Sequence, residues 1–294
     1  MESSRLLLAS RGDARVPRRR SWSILGVVGA LLLAVQFAVA VAPGLLATHD
    51  PAANVAVPLS APSREHILGT NDIGQDLYSE LIWGARVSLS IGVLAALLTT
   101  VISLGVGVTA AYFGGWLDAL LMRAVDLMLV IPVLPLLLLV AVYWGAGWLK
   151  TIVLIAALAW ADPARVLRAQ ALSVRGSDYF TAARAIGVPS RRMLHRYLLP
   201  AVLPLAVGQF ALMVSRAILV EAGLSFLGLG DPTRKSWGST LYFARASGAY
   251  MTRAWTWWVV PPGLLIALAS LGFALVGYAL EERLDPTLRR SGGG

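Results

Sequence analysis

The chain of 294 residues is 57% hydrophobic and only 14% charged, whereas soluble domains are about 45–50% apolar and about 25% charged. Because the apolar residues come in blocks of about twenty, this composition excludes an ordinary water-soluble domain and indicates one membrane domain with short ends. The formal charge of +9 comes largely from arginines that flank apolar blocks. Since no RNA-binding or zinc-finger pattern accompanies them, we expect these arginines to set membrane topology and not to bind nucleic acid.

Two residue types argue against a metal centre in this chain. The absence of cysteine excludes disulfides, thiolate catalysis and cysteine-ligated metal. His49, His66 and His195 are widely separated along the sequence, so we expect no metal site. The run 71–76, NDIGQD, lacks the alternating oxygen ligands and the terminal glutamate of a calcium loop and is better explained as a turn.

A basic tail, residues 1–21, precedes the first apolar block, residues 22–43. About twenty apolar residues suffice to cross a hydrocarbon core about 30 Å thick. A basic start, an apolar stretch and the small residues Ala38 and Ala40 are also typical of a cleavable secretory signal, but the apolar region of such signals spans about 7–15 residues. We therefore predict a retained membrane anchor, with a cleaved signal as the alternative.

Five further apolar blocks predict an all-α, polytopic membrane protein with six transmembrane helices. An even number of spans places both termini on one side of the membrane. With the termini in the cytoplasm, 16 of the 25 basic residues fall inside, as the positive-inside rule requires. The predicted parts are an extracytoplasmic segment 44–85, a core 86–280 with spans near 86–112, 119–143, 149–169, 200–222 and 257–280, a cytoplasmic loop 170–199, an extracytoplasmic loop 224–256 and a cytoplasmic tail 281–294.

Four ionisable residues fall inside predicted spans, and each is a candidate for the transport pathway because a charge in a bilayer is costly. They are Asp126, Asp162, Arg216 and Glu221. Structural alternatives remain for all four. The two aspartates could instead bond to backbone groups that a proline leaves without a hydrogen-bond partner. Arg216 and Glu221 could instead snorkel to the membrane interface or pair with each other. A proton-coupled secondary transporter would use such residues as a proton relay.

The cytoplasmic stretch from Arg175 to Pro200 predicts a short docking helix. Ser177 is a candidate cap, Asp178 lies in the first turn, Gly187 is suited to a left-handed C-terminus, and Pro189 prevents continuation. A helix of about nine residues is too short to be stable alone and needs a surface to pack on. Its arginines suit an acidic partner protein, while a helix lying on anionic lipid is the alternative; they are Arg184, Arg191, Arg192 and Arg196.

The spacing in this stretch resembles the coupling loop of ABC importer permeases, which runs Glu-Ala-Ala, three residues, Gly, nine residues, Ile, one residue, Leu-Pro. Thr181 replaces the glutamate and Tyr197 replaces the isoleucine, whereas the remaining motif positions match. The resemblance implies an ATPase-coupling site formed by Asp178, Thr181, Ala182, Ala183, Arg184, Gly187, Leu199 and Pro200.

Three other stretches resemble the dipeptide and oligopeptide branch of the same permeases. The run 68–89, LGTNDIGQDLYSELIWGARVSL, is similar to LGTDxxGRDxxSRxxxGxRxSL, and it departs at Asn71, Gln75 and Glu80. The runs 221–241, EAGLSFLGLGDPTRKSWGSTL, and 282–290, ERLDPTLRR, also resemble that branch. The resemblance therefore extends over roughly residues 65–290.

The resemblance implies a type I ABC importer permease in a bacterial cytoplasmic membrane. A second, similar permease would complete the pathway, two cytoplasmic ATPases would bind ATP and magnesium, and an extracytoplasmic protein would deliver the solute. The chain itself has no GxxxxGK[ST], GxSxG or HExxH motif, so we expect neither its own cofactor nor catalysis. The implied solutes are dipeptides or oligopeptides, with nickel chelates, glutathione or another small solute as alternatives.

Overall fold

The computed structural model describes residues 23–284. The predictions for the tail 1–21, for the first residue of the first span and for the tail beyond Leu284 lie outside these residues. Within the described part, every regular element is a helix, and two isolated antiparallel bridges, Asn54–Gln75 and Thr70–Asp76, connect parts of segment 44–85. The helices are α1 Ile24–Val41, α2 Pro43–Leu46, α3 Leu77–Phe113, α4 Gly115–Val130, α5 Val133–Trp144, α6 Trp148–Ala159, α7 Ala161–Arg175, α8 Asp178–Ala185, α9 Ser190–Met193, α10 Leu199–Phe226, α11 Trp237–Ala246, α12 Trp255–Trp258 and α13 Val260–Leu284.

Four helical stretches within residues 23–284 are long and apolar enough to cross a bilayer: α1, α3, the continuous run Ser190–Phe226 and the run Trp255–Arg283. The predicted third span is bent, because α4 and α5 meet at 87°. Counted as one span, this pair raises the number to five. The predicted fourth span is divided at Trp160 into the apolar α6 and the more polar α7. A total of six spans therefore stays a prediction.

Proline explains both interruptions. Pro132, which precedes α5, has no N–H to donate to the carbonyl of Met128, and Pro163 cannot donate to the carbonyl of Ala159. Ile131, before Pro132, is also extended, as residues before proline tend to be. Hydropathy averages over such positions, which is why the sequence predicts continuous spans there.

Close approach of helices at glycine holds the bundle together. A Cβ atom added at Gly29 of α1 would lie 2.8 Å from the carbonyl oxygen of Gly272 in α13. At Gly92 of α3 an added Cβ would lie 2.5 Å from Ile218 of α10. Small residues at such crossings allow the van der Waals packing that associates helices in a bilayer. Retention of the first span as an anchor stays a prediction.

Gly107→Leu is expected to lower the apparent Tm by about 2–12 °C, because overpacking typically costs about 1–3 kcal/mol. An added Cβ at Gly107 of α3 would lie 2.6 Å from the carbonyl oxygen of Ala164 in α7, and neither backbone can move aside. Gly105→Leu is the matched control, since an added Cβ there meets nothing within 4 Å. Thermal unfolding of both variants in the same detergent tests the prediction, and equal Tm values would contradict it.

Candidate functional site

The predicted docking helix is present as α8, Asp178–Ala185. Its inner face buries Phe180 and Ala183, which join an apolar cluster with Tyr112 of α3 and Leu198. The predicted cap is wrong: the Ser177 hydroxyl donates to the carbonyl of Val174 at 2.6 Å and makes no capping bond to α8. The helix is therefore held mainly by burial of its inner face in this cluster.

Gly187 ends α8 as the sequence predicts. Its φ of +79° is left-handed, and its N–H donates to the carbonyl of Arg184 at 3.1 Å. The N–H of Val188 donates to the carbonyl of Ala183 at 3.2 Å. These two bonds form a Schellman motif. An added Cβ at Gly187 meets nothing within 4 Å, so only the backbone conformation demands glycine here.

The outer face of α8 is open to a partner. The side chains of Asp178, Thr181, Ala182 and Arg184 are exposed, and Ile186 just beyond the helix is 82% exposed. Ala183 points inward instead, and Leu199, another predicted coupling residue, packs against the same apolar cluster. The outer face of α8 therefore carries the small apolar side chain of Ala182 near its centre and the charged side chains of Asp178 and Arg184 toward its ends.

A basic cavity of about 610 Å³ lies beside this surface, lined by Pro189, Arg191, Arg192, His195 and Arg196. The chain then passes through one π-helical turn, Leu194–Leu198, before Leu199 and Pro200 begin α10. Sequence reasoning missed this turn. Pro200 signals it, because proline offers no N–H to the carbonyl four residues earlier.

Three of the four candidate pathway residues lie in two ion pairs that link neighbouring helices. Arg216 of α10 donates from Nη1 to Oδ2 of Asp162 in α7 at 2.9 Å, and Arg165 of α7 donates to Asp126 of α4. Exposed side-chain fractions are 61% and 55% for Arg216 and Asp162, and 55% and 50% for Arg165 and Asp126. Both pairs therefore lie on an open face of the chain.

Glu221 lies elsewhere and is buried. Its carboxylate accepts hydrogen bonds from Ser225 Oγ at 2.7 Å and from Ser88 Oγ at 3.2 Å. The predicted alternative of a pair between Arg216 and Glu221 is wrong, because Arg216 binds Asp162. Glu221 therefore joins α3 to α10 and is only 1% exposed.

Asn71, Gln75 and Glu80, the three residues at which the run 68–89 departs from the permease motif, lie close together. Asn71 Nδ2 donates to Gln75 Oε1 at 3.0 Å and to Glu80 Oε1 at 2.8 Å. Lys235 Nζ, from the loop before α11, donates to Gln75 Oε1 at 2.5 Å and to Glu80. The buried carboxylate of Glu80 and the ammonium of Lys235 thus connect segment 44–85 to the loop before α11.

The expectation that the histidines are scattered is wrong for two of them. One ligand atom from each of His49, His66 and Asp76 lies within 4.8 Å of the others, although 27 positions separate His49 from Asp76. Asp76 also starts α3: its Oδ2 accepts from the N–H and the hydroxyl of Ser79 at 2.9 and 2.7 Å, and its Oδ1 lies 3.0 Å from His66 Nδ1. The cluster therefore caps the N-terminus of α3 through Asp76.

Asp76→Asn is expected to lower the free energy of unfolding by about 1–2 kcal/mol at pH 7. Burial alone would raise the pKa of Asp76, but hydrogen bonds from Ser79 and His66 outweigh it and hold the pKa below its ordinary value. A depressed pKa gives stability that is present above the unfolded value of about 3.9 and is lost as pH falls through the folded value. In unfolding experiments from pH 7 to pH 3, the gap between wild type and variant should therefore narrow below about pH 4. A constant gap would contradict this origin.

Comparison with known proteins matches residues 103–290 to the family of inner membrane components of binding-protein-dependent transport systems. A protein of Brucella suis biovar 1 named a peptide permease is 36% identical over 265 residues, covering 90% of this chain and 86% of the relative. A second Brucella suis protein, named a peptide transport system permease, is 35% identical and covers 95% and 92%. The oligopeptide transport system permease protein OppC of Mycobacterium bovis is 35% identical, with 92% of both chains covered.

Proposed function

Because the chain belongs to the family of inner membrane components of binding-protein-dependent transport systems, we propose that it is one permease subunit of an ATP-driven importer of peptides. The relatives at 35–36% identity carry peptide or oligopeptide permease names over most of their length. The single observation that carries the coupling role is α8, a short helix with an exposed outer face, ended by a left-handed glycine.

Two cytoplasmic ATPases are the proposed partners of α8. Exposed Ala182 allows close approach of a partner backbone, and the arginines beside it suit an acidic rim. The anchoring of Phe180 and Ala183 in the core makes α8 a rigid lever, so closure of the ATPases on ATP would be transmitted to α7 and α10. ATP and magnesium would be bound by these partners.

A second, homologous permease is the proposed partner of the open face that carries Asp126, Asp162 and Arg216. This face would border the pathway, while an extracytoplasmic binding protein would deliver the solute to segments 44–85 and 224–256. The proposed orientation keeps both termini in the cytoplasm of a bacterium, which places α8 and its arginines on the ATPase side.

Gentle purification from the native host, followed by mass spectrometry of all proteins that come with the chain, tests this proposal. The proposal predicts recovery of ATPases, a second permease and a solute-binding protein, whose eluted ligand would decide between peptides, nickel chelates and glutathione. A chain that repeatedly purifies alone and moves solute with a proton gradient would overturn it in favour of a secondary transporter.

A further inference from the structure

We infer that four charged side chains form a recognition strip for the two charged ends of a small peptide; this inference rests on the proposed function. The strip runs across three helices in the order Asp126 of α4, Arg165 and Asp162 of α7, and Arg216 of α10. Arg165 binds Asp126, Asp162 binds Arg216, and the two α7 residues are three positions apart on one face. Negative and positive charges therefore alternate along the strip.

The strip lies inside the predicted spans that carry it. Asp162 is the second residue of α7, beside the break at Trp160 that separates α7 from α6. Arg216 is about 26 Å along the 28-residue α10 from Leu199, at 1.5 Å per residue. Charges at this depth are costly against lipid and characteristically face a water-filled cavity or a protein partner. All four side chains are half-exposed or more, which fits a face that borders the pathway of the proposed importer.

A zwitterion is the ligand class that the charges fit. Two carboxylates and two guanidinium groups give the strip no net charge, so it offers no general attraction to a simple cation or anion. The guanidinium of Arg216 suits a peptide carboxylate, which it can bind through two parallel hydrogen bonds, and Asp162 suits a peptide amino group. An exposed ion pair is weak, so a ligand that supplies both charges can open it and replace each partner.

The surroundings of Asp162 and Arg216 suit a small peptide of variable side chains. The two residues border a groove of about 200 Å³ whose other walls are apolar, among them Leu129, Leu158 and Met213. Apolar walls accept different side chains through contact alone, whereas the strip recognises the ends that all free peptides share. The inferred specificity is for peptides with free termini and not for particular residues.

Protection of a single cysteine from a water-soluble thiol reagent tests this inference, because the chain has no cysteine of its own. Leu129→Cys places the reporter in the groove at a position that is 40% exposed, and Ile73→Cys, 50% exposed on the extracytoplasmic segment, is the control. The complex purified from the native host is reconstituted in vesicles, and dialanine is added on both sides. The mass of the intact chain reports the extent of modification.

Free dialanine is expected to slow modification of the Leu129 reporter at least several-fold and to leave the Ile73 reporter unchanged. Dialanine with an acetylated amino end and an amidated carboxyl end should give no protection. Asp162→Asn or Arg216→Gln should remove protection by the free peptide. The exchanged variant, Asp162→Arg with Arg216→Asp, should restore it, because a zwitterion can bind in the opposite direction.

Three results would overturn the strip. They are equal protection by free and blocked dialanine, undiminished protection in both single variants, and a Leu129 reporter that the reagent does not reach. Uptake of dialanine by the same vesicles separates the two proposals. Uptake that requires ATP, without protection of the reporter, would sink the strip and leave the importer function standing, whereas uptake without any ATP dependence would contradict the function itself.

Discussion

Replacing Gly187 with valine is expected to reduce solute uptake about tenfold or more while the chain still inserts in the membrane. The φ of +79° at this position is strained for a β-branched residue, with a cost of about 1–3 kcal/mol. Since an added side chain would meet open space, the strain acts on the turn that aims α8 and not on packing. Uptake by vesicles containing the complete transporter, compared at equal protein amounts, measures the effect.

Gly187→Asn is the matched control, because asparagine tolerates left-handed backbone far better than valine. The asparagine variant should retain most of the uptake, although it too adds a side chain where the wild type has none. ATP hydrolysis by the partner subunits should continue in the valine variant without proportionate uptake, which is the signature of uncoupling. Normal uptake by Gly187→Val would show that the turn does not aim the coupling helix.

Lys235→Met is expected to lower the free energy of unfolding by about 3–5 kcal/mol and the apparent Tm by about 6–20 °C. The side chain of Glu80 is only 2% exposed, and Lys235 is its cationic partner. Removing the lysine leaves a buried carboxylate with Asn71 as a neutral donor. The contact of the ammonium with the Phe243 ring, 5.6 Å from its centroid, is lost as well. Thermal unfolding in detergent measures the shift.

Adding Glu80→Gln to Lys235→Met should recover most of the lost stability. The glutamine keeps an acceptor for Asn71 and carries no charge, so the penalty for an unpaired buried ion disappears. The double variant therefore separates the cost of the charge from the loss of lysine packing. A single variant that unfolds at the wild-type temperature, or a double variant no more stable than Lys235→Met, would refute this explanation.

Features that depend on a few neighbouring residues could be predicted from the sequence. Gly187 and Pro189 mark the end of α8 because their backbone preferences act whatever surrounds them. The cap at Ser177 was mispredicted for the opposite reason: a serine hydroxyl has competing backbone partners, and here the carbonyl of Val174 wins. The bend after Ile131 follows from Pro132, a signal that an average over twenty residues conceals.

Contacts between segments that are far apart in the sequence could not be predicted from local sequence patterns. The partner of Arg216 is 54 positions away, at Asp162, and the partner of Glu80 is 155 positions away, at Lys235. The rings of His49 and His66 become neighbours because the segment before α3 folds back over the start of that helix. Periodicity and spacing specify helices and turns, whereas these pairs depend on how the helices pack.

In the proposed function, this chain moves solute only when ATPases drive it. The direct measurement is uptake of a radiolabelled dipeptide by vesicles containing the complex purified from the native host, together with its binding protein, with ATP supplied on the ATPase side or with a proton gradient alone. We expect uptake with ATP, no uptake with the proton gradient, and loss of ATP-driven uptake in Gly187→Val. Uptake driven by the proton gradient in the absence of ATP would contradict it.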